Sequence, residues 1–291
     1  MKGWLVVNSF VNHSKFTNLY AMLEKAFIAR GVELELKHAK DIGYGVDDVD
    51  FSNGKPDFCM FWDKDIYLAK KLESKGIRLF NSGDSIEFCD NKIITYQILG
   101  KANIRIPKTY IAPKTFEGLG YYDLTFVKDI AEDIGYPLVI KEARGSFGKQ
   151  VYLAHDFDEA ERIIKSFGYK DFLLQEFIES SCGRDIRINV VGHKAIVSML
   201  RENPNDFRSN ITNGGSGKAY TPKPEYISLA EEASRALNLD FAGVDVMFGP
   251  NDEPIICEVN SNPQFASTKD ATGVDLSEYI ADHVIKTLCK E

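Results

Sequence analysis

The stretch AGVDVMFGPNDEPIICEVNSNPQF, Ala242–Phe265, decides how the rest of the chain is read. Ala242–Phe248 is a strand, Gly249–Pro254 is dense in turn residues, and Ile255–Asn260 is the return strand. Each strand is apolar enough for a core, yet each carries a carboxylate, Asp245 and Glu258. Symmetric pairing about the turn sets Phe248 opposite Ile255 and Asp245 opposite Glu258. Side chains alternate faces along a strand, so Glu258 and Asn260 share a face, and Asp245, Glu258 and Asn260 converge on one patch. Two carboxylates directly opposite each other repel, and a divalent cation removes that penalty. A donor set made only of oxygen, with no His or Cys nearby, points to Mg2+ or Mn2+ rather than zinc. A solvated acidic face on an ordinary hairpin explains these residues equally well.

The chain has 291 residues, enough for one large or two ordinary domains. Its content, 44% hydrophobic and 27% charged, is that of a soluble globular enzyme or binding protein. No apolar run approaches the roughly 20 residues a membrane helix needs, and MKGWLVVNSF reads as a first strand rather than a signal peptide. The five cysteines are scattered with no C-x-x-C pair, which argues against a disulfide framework or zinc site and for the cytoplasm. A net charge of −8 disfavours broad nucleic-acid binding.

Upstream, WLVV, VELELK, FCMFW and IRLF read as strands alternating with helices whose apolar positions follow Phe16, Leu19, Leu23, Phe27 and Ile66, Ala69, Leu72. That order implies a parallel sheet with helices on its faces. A helix from about Asn91 to Leu99 precedes the strand TYIA. Helix, PLVIK, glycine loop, VYLAH, helix and FLLQEFI then follow, and long strands dominate from Asp185. Residues 203–224 read as a long loop. The last helix is expected to begin at Asp275, capped by that side chain while Glu278 reaches back.

A metal site that binds phosphates needs donors elsewhere. Lys141 ends an apolar strand just before EARGSFGKQV, where Gly145 and Gly148 let backbone amides turn toward an anion. This loop is too short for a Walker A motif, and the first strand lacks a G-x-G-x-x-G. A tight hairpin turn explains the glycines about as well. Asp185, Arg187 and Asn189 alternate with apolar residues. Arg184, Arg187, Arg201 and Arg208 form a cationic cluster that either neutralises neighbouring acids or clamps a phosphoryl group in transfer.

Taken in order, DNKIITYQIL, PLVIKEARGSFGKQV, LLQEFIESSCGRDIRINVVG, FRSNITNGG, FAGVDVMF and CEVNSNP, leading to TGVD, resemble the ATP-grasp superfamily, most closely the RimK-like carboxylate–amine ligases. The match covers roughly the last two-thirds of the chain. The resemblance implies an α/β protein with an α+β catalytic part: an N-terminal parallel-sheet domain over residues 1–92, a small lid subdomain over 93–180 and a large subdomain over 181–291, with nucleotide held between the last two. Lys92 and Lys141 look like the phosphate lysines, with Gly145 and Ser146 in the loop over the phosphates. Glu176, Phe177 and Ile178 look like the adenine hinge, and Asp185 is similar to the acid closing that pocket. Arg208 and Asn210 look like phosphate contacts at the reaction centre. Asp245, Glu258 and Asn260 match the metal ligands, which are the trio the hairpin geometry selects. Gln150 and Gln264 depart from the glycines common at these positions, so the loop is expected to be stiffer and substrate identity does not carry over.

The activity so implied is ATP-dependent amide formation through an acyl phosphate, with two Mg2+ or Mn2+ ions. Arg201 and Arg187 are the candidates for holding the carboxylate or acyl phosphate. Carboxylate and amine substrates are the expected partners, with neither nucleic acid nor membrane, in a homodimer or homotetramer. The alternatives are an ATP-grasp phosphotransferase and a nucleotide-binding regulatory module without turnover.

Overall fold

A computed structural model describes residues 1–11, 13–52, 54–146 and 148–290. The N-terminal part holds β1 (Lys2–Val7), α1 (Ser14–Ile28), β2 (Glu33–His38), β3 (Phe58–Trp62), α2 (Ile66–Ser74) and β4 (Arg78–Phe80). Its strands form one parallel sheet in the order β2-β1-β3-β4, as the alternation of strand and helix patterns predicts. The order reverses between β1 and β3, so a crevice opens beyond their carboxyl ends, where ligands of open parallel sheets bind.

Two helices follow, α3 (Gly83–Asp90) and α4 (Lys92–Lys101). The Asn91 side chain caps α4, accepting from the amides of Ile93 and Ile94. The next layer is β5 (Thr109–Ile111), α5 (Thr125–Ile134), β6 (Leu138–Glu142), β7 (Val151–Ala154), α6 (Phe157–Ser166) and β8 (Phe172–Glu176). Its antiparallel sheet runs β5-β8-β6-β7 over a core of its own that includes Phe172, Ile140 and Ile164.

The third sheet is antiparallel, β11-β10-β9-β12-β13, built from β9 (Arg184–Val191), β10 (Lys194–Glu202), β11 (Ser216–Ala219), β12 (Phe241–Phe248) and β13 (Pro254–Asn260), with α7 (Pro224–Ala236) between β11 and β12. One face is apolar, and Ile186, Ile188, Val244, Val246 and Ile256 bury against α4 and α7. The chain closes with α8 (Ala266–Thr272) and α9 (Leu276–Leu288).

Three sequence expectations need correction. The 203–224 segment is not one long loop, because Ser216–Ala219 pairs with β10 as an edge strand. Asp275 does cap α9, accepting from the Ser277 amide, but Glu278 does not reach back; it pairs with Arg30 at 2.6 Å. In the hairpin Phe248 lies opposite Pro254, not Ile255, and a bulge that leaves Cys257 unpaired restores Asp245 opposite Glu258.

The N-terminal and third sheets share a core. Trp62 of β3 stacks on Phe241 of β12, with centroids 5.0 Å apart and planes at 15°, and Phe265 meets Trp62 edge-on. Asn81 knits the same junction. Its amide donates to the carbonyls of Phe241 (2.9 Å) and Ser261 (2.8 Å), and its oxygen accepts from the Asp240 and Phe241 amides. Phe241→Ala is therefore expected to lower unfolding free energy by about 3–5 kcal/mol. Urea denaturation checks this: fluorescence of Trp4 and Trp62, both in the N-terminal sheet, should follow the shifted transition although the mutation lies in β12.

Candidate active site

The polar face of the third sheet is assembled by strand alternation. Arg201 lies opposite Asp185, and Arg187 and Glu258 flank Asp245 on either side. Arg201 Nε donates to Asp185 Oδ1 at 2.7 Å, and its Nη2 reaches both Asp185 and Asp245, the latter at 2.9 Å. Arg187 grips Asp245 with both Nε and Nη2, the second bond at 2.9 Å. All four groups are buried, and they balance as two cations against two anions. Gly243 makes room for this packing: a Cβ there would meet Pro263 at 2.8 Å and Arg187 Nη1 at 3.2 Å. The arginines thus offset the repulsion between Asp245 and Glu258 that the sequence reading assigned to a metal. Arg184, another member of the cluster, donates from its guanidinium to the Ser180 carbonyl and lies over the Phe248 ring.

The opposite wall comes from α4 and the β6–β7 loop. The Lys92 amide donates to the Ala143 carbonyl at 2.8 Å, which fixes the helix start against the loop. Lys92 Nζ donates to the Gly145 carbonyl at 3.0 Å and stands 3.8 Å from Glu258 Oε1. Burial pulls its ammonium below the ordinary value, and Glu258 partly offsets this. Lys141, buried on β6, donates to the Tyr96 hydroxyl at 3.0 Å, and that hydroxyl donates to the Cys257 carbonyl at the bulge. Burial pushes the Cys257 thiol up to about 11, so it stays protonated at neutral pH. Gln150 has a structural role: its Oε1 accepts from the Ser146 amide at 3.2 Å, and a Cβ on Gly145 would strike it at 2.4 Å. The glutamine side chain fills the space under the loop and occupies one of its amides.

Arg208 is spent on holding the loop. It donates to the Gly148 carbonyl at 2.6 Å and pairs with Asp206. Between these walls lies a cavity of about 860 Å3, its open mouth included, that Lys92, Lys141, Asp185, Asp245 and Glu258 line. Gly145 and Ser146 stand at its rim, and Glu176, Phe177 and Ile178 line it at the end of β8. A second cavity, of about 1340 Å3 with its open mouth, runs to the N-terminal sheet and is lined by Arg187, Asn260 and Gln264. Ser146, Arg201, Asn210 and Glu258 border both.

Every candidate catalytic, nucleotide-binding and metal-binding residue named from the sequence therefore lines one cavity or the other. Sequence reasoning missed Tyr96, Lys64 and Asp63. Tyr96 had a signal, since it lies four residues after Lys92 on one helix face. Lys64, whose Nζ bonds Asp90 at 2.7 Å and Ser146 Oγ at 3.2 Å, had none. The oxygens of Glu258, Asn260 and Asp245 suit a hard divalent cation. Glu258 is the freest donor, whereas both oxygens of Asp245 already accept from arginines and retain only their remaining lone pairs.

A cleft between two antiparallel sheets, with two lysines and a glycine loop facing a pair of carboxylates, defines a nucleotide-dependent class of protein. Residues 89–284 match the RimK-like ATP-grasp domain, and the chain belongs to that family, which uses ATP and a divalent metal. Human N-acetylaspartylglutamate synthase A is 34% identical over 228 residues, 78% of this chain and 57% of the relative, so the chain spans little more than half of that protein. A Methanococcoides burtonii protein named "Probable alpha-L-glutamate ligase" is 34% identical over 76% of this chain and 71% of its own length. The crystal structure of a RimK domain ATP-grasp protein from Sphaerobacter thermophilus superposes with a TM-score of 0.75 at 22% identity, covering 98% of this chain and 100% of that one, and shows the ATP-grasp fold. Among the described residues no helix is long and apolar enough to cross a membrane.

Proposed function

We propose that this protein is an ATP-dependent carboxylate–amine ligase. The observation that carries the reading is the shared border of the two cavities. Lys92, Lys141 and the glycine loop face Asp245 and Glu258 across the first cavity, which opens past Ser146, Arg201, Asn210 and Glu258 into a larger one. A triphosphate in the first would present its terminal phosphoryl group to a carboxylate in the second. Residues 93–180 then act as the lid and 181–291 as the catalytic body. Glu176, Phe177 and Ile178 receive the base, Asp185 closes its pocket, and Lys92, Lys141, Gly145 and Ser146 receive the phosphates. Asp245, Glu258 and Asn260 would hold Mg2+ or Mn2+, two ions in all, which would offset the charge of the phosphates.

A substrate carboxylate oxygen attacks the γ-phosphorus and ADP leaves. The amine of a second substrate then attacks the acyl carbon, inorganic phosphate leaves, and the nitrogen loses a proton as the amide forms. Arg201 and Arg187 keep Nη1 without a hydrogen bond among the described residues, and these ends face the spreading negative charge. Arg208 holds the loop over the reaction centre through the Gly148 carbonyl, and Asn210, on the border of both cavities, receives the transferring phosphate beside it. The relatives' names support glutamate or another amino acid as the amine.

The test is phosphate release from ATP and Mg2+ with pooled carboxylic acids and amines. Release is expected only when a carboxylate and an amine are both present, together with a product of their combined mass less water. A stable phosphorylated product formed without an amine would instead identify a phosphotransferase.

A further inference from the structure

The larger cavity carries a charge that the reaction scheme leaves unused. Asp63 follows β3 at the switch point of the parallel sheet, beside Asn8, which follows β1. It is 7% exposed and lines the cavity wall. Its Oδ1 accepts from Asn8 Nδ2 at 3.2 Å and from the Lys64 amide at 2.6 Å, both uncharged donors. Its Oδ2 is buried with no hydrogen-bond partner. A buried carboxylate oxygen without a donor is costly and calls for an occupant.

The cations of this cavity are committed elsewhere. Lys64 Nζ pairs with Asp90 at 2.7 Å, and Arg187 and Arg201 serve Asp245 and Asp185. The other acids of the cavity wall have cations: Asp90 has Lys64 and, at 2.6 Å, Arg144, and Glu258 has Lys92 at 3.8 Å. Asp63 forms no ion pair among the described residues. Burial lifts its carboxyl above the ordinary range, and the hydroxyl of Tyr20, another wall residue, is pushed up to about 12 by burial and by Asp63. A cation beside Asp63 would reverse that shift. The carboxylate torsion is soft, so the unpartnered oxygen can turn into the cavity while the other keeps a bond to Asn8 or Lys64.

We infer that Asp63 is a specificity-determining residue of the substrate cavity and receives an ammonium group of the substrate bound there. This rests on reading the larger cavity as the substrate compartment of a ligase. It implies a substrate with a free amino group, and it excludes N-acylated analogues.

Binding without turnover tests this. The full chain, saturated with ADP and Mg2+, is titrated calorimetrically with each of the twenty common L-amino acids and with its N-acetyl derivative. At least one free amino acid is expected to bind about 10- to 100-fold more tightly than its acetylated form. Asp63→Asn should erase that preference while leaving ADP affinity unchanged, which reports that the variant is folded. The inference is overturned if no free amino acid binds, if the acetylated forms bind equally well, or if Asp63→Asn retains the preference. Amine-dependent phosphate release with such an indifferent variant would sink the role of Asp63 and leave the ligase standing. Asp63-dependent binding without amine-dependent phosphate release would do the reverse.

Discussion

Asp245→Asn is expected to cost about 3–5 kcal/mol of stability as well as turnover, whereas Glu258→Gln should cut turnover sharply and leave stability within about 1 kcal/mol. The two carboxylates face each other across one hairpin, but their surroundings differ. Asp245 is the only acid that Arg187 pairs with among the described residues, and both are buried. Neutralising it strands a guanidinium in the interior. Glu258 keeps 31% of its side chain exposed and, among the described residues, pairs only with Lys92, at 3.8 Å. Thermal and urea unfolding give the stability arm. Phosphate release across a Mg2+ titration gives the other, where Glu258→Gln should lose about 100- to 1000-fold. A Glu258→Gln enzyme with unaltered magnesium dependence would remove that residue from the proposed metal site. Acid unfolding adds a signature for Asp245. Burial alone would raise its carboxyl, but Arg187 and Arg201 outweigh burial and hold it below its ordinary 3.8. A depressed carboxylate contributes stability that is present above about pH 4 and lost as pH falls through the folded value. The wild type should therefore show an acid-dependent loss that Asp245→Asn lacks.

That contrast marks where the sequence stops being informative. The facing of Asp245 and Glu258 was legible because strand alternation and a turn-rich hexapeptide fix it locally. The bulge at Cys257 was not, and the symmetric register reached the right pair through a wrong one at Phe248. Compensation by Arg187 and Arg201 was one of the two readings the sequence allowed, but which acids they meet was out of reach, since that depends on β9 lying between β10 and β12. Both arginines were also read as reaching substrate, yet Nε and Nη2 of each are spent on acids. Glu278 shows the same limit: its position suited a cap, but Arg30, 248 residues away, takes it instead. Helices α3 and α8 went unread because they are short and bury few apolar side chains, so they lack the stripe that betrays a helix. Asp63 is placed by the packing of the parallel sheet against Asn262, whose amide donates to its carbonyl at 2.9 Å, and no motif surrounds it.

Lys141 sits at the other extreme, legible as a residue but not in its energetics, and Lys141→Met should separate function from stability. The residue is 5% exposed, and its ammonium bonds the Tyr96 hydroxyl and has no carboxylate within ion-pair distance among the described residues. An ammonium buried without a counter-ion costs free energy, and a nucleotide phosphate would supply that counter-ion. Methionine has nearly the same shape, and Tyr96 keeps its bond to the Cys257 carbonyl, so nothing is left unsatisfied. The variant is expected to melt at the same temperature as the wild type or higher, while ADP affinity falls about 30-fold or more. Lys92→Met should also weaken nucleotide binding but without the gain, because Lys92 holds the Gly145 carbonyl and lies near Glu258. Calorimetric titration with ADP and Mg2+, paired with thermal unfolding, reads both quantities. A Lys141→Met protein that is less stable yet binds ADP normally would make Lys141 a structural lysine. The expected pairing, lower affinity with undiminished stability, is the mark of a group held in place for a ligand's charge rather than for the fold.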